Sequence, residues 1–284
     1  YPVVGGVSGG TVVEVVGSGF LNTWSTYCRF GDTSVPAKWM SDTLMSCTSP
    51  LVDTGVAGAV NVEVSMNNQQ YGLSEVSFEY QGMASVTSLD PTKGPAQGGT
   101  FMVVRGSGFS QRSSSLEYMY CMFNTTRVVA SYVSEVEMHC VAPEGLIGYV
   151  SLEMSNNDAD YTESGVQFEY EDVMVGSVHP SSGMMSGGTE VRVLGEHFHM
   201  PGSKGLWCKF GSSLNQPATW ESTSSLRCAS PSYGSEGVVD LVIINNEAVY
   251  ESVVAWQFYV DPVVGSLYPV VGGVSGGTVV EVVG

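Results

Sequence analysis

YPVVGGVSGGTVVEVVG, residues 1–17, returns letter for letter as residues 268–284. Two looser versions stand between the copies: DPTKGPAQGGTFMVVRG at 90–106 and HPSSGMMSGGTEVRVLG at 179–195. The prolines that open these phrases, Pro2, Pro91, Pro180 and Pro269, lie 89 residues apart. A fixed period with weak identity between neighbours marks a tandem array. Identity after three periods adds a longer repeat of 267 residues. The 284 residues therefore read as domains at 1–82, 83–172 and 173–262, with 263–284 beginning a fourth. Because both ends fall inside one phrase, the sequence reads as a window on a continuing pattern. The domain at 1–82 lacks its opening strand, and 263–267 supplies an example of it.

The apolar period within each domain is 2, which argues strands. After the Gly-Gly-Thr turn, Val13 and Val15, Met102 and Val104, and Val191 and Val193 share a face. A later strand alternates Val60, Val62, Val64; then Val150, Leu152, Met154; then Val239, Leu241, Ile243. Its outward positions include Asn61, Glu63, Ser151, Glu153 and Asp240. The closing strand reads Val76, Phe78, Tyr80, then Val166, Phe168, Tyr170, then Trp256, Phe258, Val260. One face in and one face wet is the pattern of antiparallel sheets packed as a sandwich. Glycine pairs and the Asn-Asn sites 67–68, 156–157 and 245–246 supply the turns, since both residue types tolerate left-handed backbone. No amphipathic helix is evident. About seven short strands per domain is immunoglobulin-like density, so the fold class is all-β, tandem immunoglobulin-like sandwiches. Linkers of a few residues predict a stiff rod, about 100 Å for three domains in line.

Composition sets limits. The chain is 43% apolar and 13% charged, enough to build cores and too apolar for a disordered chain. Its 35 glycines show no Gly-X-Y period, which excludes collagen. The net charge of −18 is spread over all domains and repels phosphate backbones and anionic membranes, so no nucleic-acid partner is expected. No run approaches the roughly 18 apolar residues of a membrane span.

The six cysteines fall two per domain: Cys28 and Cys47, Cys121 and Cys140, Cys208 and Cys228. The repeat selects pairing inside each domain, with both sulfurs on core faces. A loop of about 20 residues closed this way stabilises its domain by roughly 3 kcal/mol in loop-closure reasoning. Disulfides imply an oxidising, extracellular compartment. Zinc is disfavoured because no C-x2-C spacing occurs. Asn124-Thr125-Thr126 is the single N-x-[ST] sequon and marks Asn124 as a glycan acceptor. Ser155-Asn-Asn-Asp158-Ala-Asp160 has calcium-like oxygen donors, but its counterparts lack the paired acids and it reads as a solvated turn. His197 and His199 share a strand face without a third ligand. No catalytic arrangement recurs with the repeat, so neither an enzyme nor a cofactor is expected.

In order, V-x-S-[LV]-x-P, Gly-Gly-Thr, Gly-x-x-Phe, Cys-x-Phe, Leu or Met before Cys, Ser-Pro or Ala-Pro, Gly-x-Val-x-Val, Asn-Asn-x-x-x-Tyr and Phe-x-Tyr resemble the IPT/TIG domain. The resemblance covers all three repeats and loosens at Glu196-His197 and at Phe123-Asn124. It implies an immunoglobulin-like fold and, among its known settings, extracellular stalks of plexin-type receptors, long arrays in fibrocystin-like surface proteins, Rel-type transcription factors and accessory modules of starch-processing enzymes. Acidity and paired cysteines argue against the Rel-type role. The letter-for-letter return predicts first a structural component of an extracellular fibre, stalk or filament, such as a surface or flagellar hair. Its partners would be copies of itself or other filament proteins. The alternatives are a cell-surface adhesion or receptor ectodomain that binds a protein or glycan, and accessory domains of a larger secreted enzyme.

Overall fold

In a computed structural model the regular secondary structure of the chain is almost entirely strand. The structure describes residues 1–53, 55–200, 205–250 and 253–284. It divides into two compact units, Tyr1–Glu171 and Asp172–Gly284.

The first unit contains two sandwiches. In the first are β1 (Val4–Gly6), β2 (Val12–Val16), β3 (Tyr27–Phe30), β4 (Thr33–Ser41), β5 (Leu44–Thr48), β6 (Gly58–Ser65) and β7 (Ser77–Gln81). They run β1-β7-β6-β3-β4-β5-β2, because the nine-residue β4 leaves β3 halfway along and continues against β5. The second sandwich has β8 (Ser85–Asp90), β9 (Lys93–Pro95), β10 (Phe101–Ser107), a short helix α1 (Gln111–Ser115), β11 (Tyr120–Phe123), β12 (Thr126–Val129), β13 (Ser131–Ser134), β14 (Glu137–Val141), β15 (Gly148–Ser155) and β16 (Gln167–Glu171). Here two sheets are separate, β13-β14-β10-β8 and β12-β11-β15-β16-β9.

The second unit repeats the plan with β17 (Met174–His179), β18 (Ser182–Met184), β19 (Glu190–Glu196), β20 (Leu206–Phe210), β21 (Gln216–Ser222), β22 (Ser225–Ala229), β23 (Gly237–Asn245), β24 (Ala248–Val249) and β25 (Val254–Tyr259). It ends in a two-stranded piece, β26 (Ser266–Tyr268) with β27 (Glu281–Val283). There Tyr268 faces Glu281. Tyr1 and Glu14 occupy the same register, with the Glu14 N–H donating to the Tyr1 carbonyl at 2.8 Å. The second copy of the opening phrase thus begins its own strand pair.

Period-2 alternation builds the cores. Val13, Met102, Val104, Val191 and Val193 are all buried, as are Val62, Leu152, Met154, Leu241 and Ile243 from the later strand. Burying each such side chain contributes about 1.5–3 kcal/mol. The opening strands lay Val86, Leu89 and Val175 into the cores of their domains. Close approach of a threonine explains two strand glycines. A Cβ on Gly5 would stand 2.4 Å from Thr11 Oγ1, and one on Gly94 2.0 Å from Thr100 Oγ1. The four prolines that open the phrases all follow cis peptide bonds.

Two expectations about the placement of strands and helices fail in detail. The closing strand of the third domain is shifted by two residues: Trp256 and Phe258 occupy the places of Phe78 and Tyr80, because Gln257 pairs with Ser182 as Glu79 pairs with the equivalent position in β1. Val260 consequently lies outside the core, 61% exposed. A helix does occur, the five-residue α1. It is too short to show amphipathic periodicity and is opened by Ser110, whose side chain accepts from the Ser113 N–H.

Candidate functional site

The most developed polar constellation lies inside the first unit, where its two domains meet. It grows from the turn after β15. Asn157 Oδ1 accepts from the backbone N–H groups of Ala159 and Asp160 at 3.1 and 2.8 Å, and from Ser155 Oγ at 3.0 Å. This Asx-type turn fixes the asparagine, leaving its amide to donate outward. Asn157 Nδ2 reaches the Val4 carbonyl of the first domain at 3.1 Å and Asp160 Oδ2 at 2.8 Å. Asp160 also accepts from Thr11 Oγ1, again across the joint. Asn157 is only 3% exposed.

The opposite side of the joint is held by α1. Gln81, at the end of β7, donates to Ser110 Oγ at 2.9 Å and accepts from Ser113 Oγ at 3.2 Å. Arg112 pairs with Glu79 at 2.6 Å, and the Tyr1 and Tyr118 rings meet edge-on at 5.0 Å. Between these groups lies a cleft of about 410 Å³, lined in part by Gly6, Ser8, Gly10, Met83, Asn156 and Glu163. Exposed ion pairs such as Arg112–Glu79 contribute little. The buried amide bonds of Asn157 and Gln81 contribute more, because breaking one strands a desolvated partner.

Glu153 shows how the second domain stiffens this loop. Expected on the wet face of β15, it is instead 9% exposed. The following segment folds back over it: Thr162 Oγ1, Ser164 N–H, Ser164 Oγ and Gly165 N–H all donate to its carboxylate. Burial alone would push the carboxyl up, but these four donors outweigh it and hold Glu153 below the ordinary carboxylate range. Beside it, burial and a hydrogen bond to Asp158 push the Tyr161 hydroxyl up. Asp158 also pairs with Arg127.

The sequence-predicted residues fall as follows. Bonds join Cys28 to Cys47, Cys121 to Cys140 and Cys208 to Cys228, with Cα–Cα distances of 6.3, 6.4 and 6.4 Å. In the second domain the bond links β11 to β14, one strand in each sheet. Asn124 sits exposed at the hairpin between β11 and β12 with φ 53°. His197 has φ 59° and a ring nitrogen 2.7 Å from the Asp172 carbonyl. Among the described residues, no three His, Cys, Asp or Glu side chains converge as a metal site. The Ser155–Asp160 run keeps Ala159 and Asp160 exposed, as expected of a solvated turn, but it also connects the two domains through Asn157 and Asp160. Its two acids are occupied by side chains: Asp160 accepts from Thr11 Oγ1 and Asn157 Nδ2, and Asp158 from the Tyr161 hydroxyl and Arg127.

Sequence reasoning missed Gln81, Arg112 and Thr11 as joint residues. Thr11 carried a signal, since a threonine recurs in each Gly-Gly-Thr, but its partner on another domain did not.

The IPT/TIG domain family matches residues 1–80, 84–170 and 174–258. Fibrocystin-L of Homo sapiens is 24% identical over 288 residues, covering 100% of this chain and 6% of that protein. Plexin-B2 of Mus musculus is 24% identical over 212 residues, 70% of this chain and 11% of that protein. The chain therefore spans a small fraction of the curated relatives it matches. A solved structure of the plexin A4 full extracellular region superposes at a TM-score of 0.59 and 16% identity, covering 96% of this chain and 26% of that one. That likeness shows the fold.

Proposed function

The chain belongs to the IPT/TIG domain family over three consecutive domains, and from that membership we propose that it is a non-catalytic stretch of a cell-surface ectodomain of the receptor or adhesion kind. Its role there is to hold binding surfaces for a protein or glycan partner at a set spacing. The observation that carries this reading is the unbroken run of family domains, separated only at 81–83 and 171–173. The polar joint of the first unit supports it, because a spacer works only where neighbouring domains are fixed. Three disulfides support an extracellular setting, as does the likeness to fibrocystin-L and plexins.

The relatives favour this reading over the fibre. The fibre keeps one specific observation, the return of residues 1–17 at 268–284. Electron micrographs separate the two: an axial repeat of three domains belongs to a fibre, single particles to an ectodomain segment.

Expressed behind a secretory leader in animal cells, the chain is expected in the medium. A non-reducing peptide map should then link Cys28 to Cys47, Cys121 to Cys140 and Cys208 to Cys228. Alkylatable thiols at these positions in the native protein would contradict an extracellular role.

A further inference from the structure

The register of the three domains singles out one exposed position, on β4 and β21, which each run between two partner strands, and at the end of β12, which closes its sheet. Opposite Tyr27, Tyr120 and Trp207, at equivalent places in β3, β11 and β20, stand Pro36, Val129 and Pro217. All three face solvent. The next residue donates inward to the neighbouring strand, Ala37 to Thr26 and Ala130 to Met119. Backbone direction alternates along a strand, so the nitrogen at this place points out of the sheet. Proline there removes an outward donor. It is also a recognised device for stopping an edge strand from pairing with another chain.

The second domain lacks that device. Its edge segment Thr126–Val133, TRVVASYV, contains no proline or glycine and one charge. Val129 and Val133 are 65% and 47% exposed. β12 ends one sheet and β13 the other. An exposed apolar run of high strand propensity at an edge is a self-association hazard. At the head of this same edge, and in neither sister domain, lies Asn124-Thr125-Thr126. Asn124 replaces Gly31 and Gly211, which hold the same left-handed turn at φ 58° and 53°. Asn124, Thr125 and Thr126 are all exposed.

We propose that Asn124 carries an N-linked glycan which guards the β12–β13 edge of the second domain, an edge that β4 and β21 close in the other two by running on from one partner strand to the next. The donor is a lipid-diphosphate-linked oligosaccharide of the secretory pathway. The Asn124 amide nitrogen forms a bond to C1 of the first sugar, the C1–oxygen bond to the diphosphate breaks, and the lipid diphosphate leaves. The amide proton passes to a base of the transferase. Val129 lies about 16 Å along the strand from Asn124, within the sweep of a flexible branched oligosaccharide.

The proposal rests on the extracellular reading, and one preparation tests both separately. The full chain secreted from animal cells is digested for the disulfide map and for glycopeptides. Its mass is then followed by light scattering against concentration. The expected result is glycan on Asn124 and a monomer. Thr126→Ala, which leaves Asn124 in its turn, should lose the glycan and rise about twofold in mass toward a dimer. Adding Val129→Pro, or Val129→Lys if the proline variant does not fold, should restore the monomer. Paired cysteines with a bare Asn124 would overturn the glycan while leaving the ectodomain reading intact. A Thr126→Ala chain that stays monomeric throughout, or one whose association survives both Val129 changes, would overturn the guarding role.

Discussion

Two turns in the first unit are built alike and used differently. In the first domain Asn67 Oδ1 accepts from the Gln69 and Gln70 N–H groups and from Ser65 Oγ. In the second, Asn157 does the same with Ala159, Asp160 and Ser155. The difference lies in the outward face. Asn67 is exposed, and its amide donates to Gln70 in its own turn. Asn157 is buried, and its amide crosses to the Val4 carbonyl, while Asp160 stands where Gln70 does and takes the Thr11 hydroxyl. A local motif sufficient for a chain reversal becomes an interdomain bond when one acid and one facing threonine are added.

The largest expected effect separates the two asparagines. Asn157→Ala strands the turn amides and the buried Val4 carbonyl and should cost about 3 kcal/mol, against about 1 kcal/mol for Asn67→Ala. Denaturant unfolding of the two variants measures both. Equal losses would mean that the joint adds nothing to the turn.

A smaller contrast lies in the strands that lead into these turns. Glu63 pairs with Arg29, which also lies over the Tyr71 ring at 4.2 Å. Glu153 at the equivalent place is enclosed by four hydrogen-bond donors. Glu153→Gln should cost about 2 kcal/mol at neutral pH, and Glu63→Gln about 1 kcal/mol or less. The Glu153 carboxyl is depressed in the folded state. Its contribution is therefore complete above the unfolded carboxyl value of about 4.3 and is lost as pH falls through the lower folded value. The gap between wild type and Glu153→Gln should narrow across that window. A pH-independent gap would show that the charge is not what the loop binds.

The contrast also shows what a sequence can reveal. The period of 89, the alternating apolar positions and the cysteine spacing all depend on residues whose burial follows from strand geometry alone, so the sandwiches were legible. Glu153 was misread because period 2 assigns a face, not what later covers it; Thr162 to Gly165 cover it from a loop without periodicity. Trp256 was misaligned because aromatic residues at neighbouring even positions satisfy the same pattern in two registers. Asp160 gave no sign of its bond across the joint because its partner, Thr11, is 149 residues away. Such a contact leaves no local trace in one chain. The position shared by Pro36, Val129 and Pro217 was present in the sequence but gained meaning only once the strand register aligned the three.

A small energetic term carries the central claim, that the first two domains form one rigid element. Asp160→Ala removes the Thr11 contact at a cost of about 1 kcal/mol, while its effect on orientation should be larger. Amide residual dipolar couplings of the full chain in a weakly aligning medium test this directly. The account predicts that couplings from residues 1–80 and 84–170 fit a single alignment tensor, and that Asp160→Ala splits them into two. Separate tensors for the two domains in the unaltered chain would contradict it.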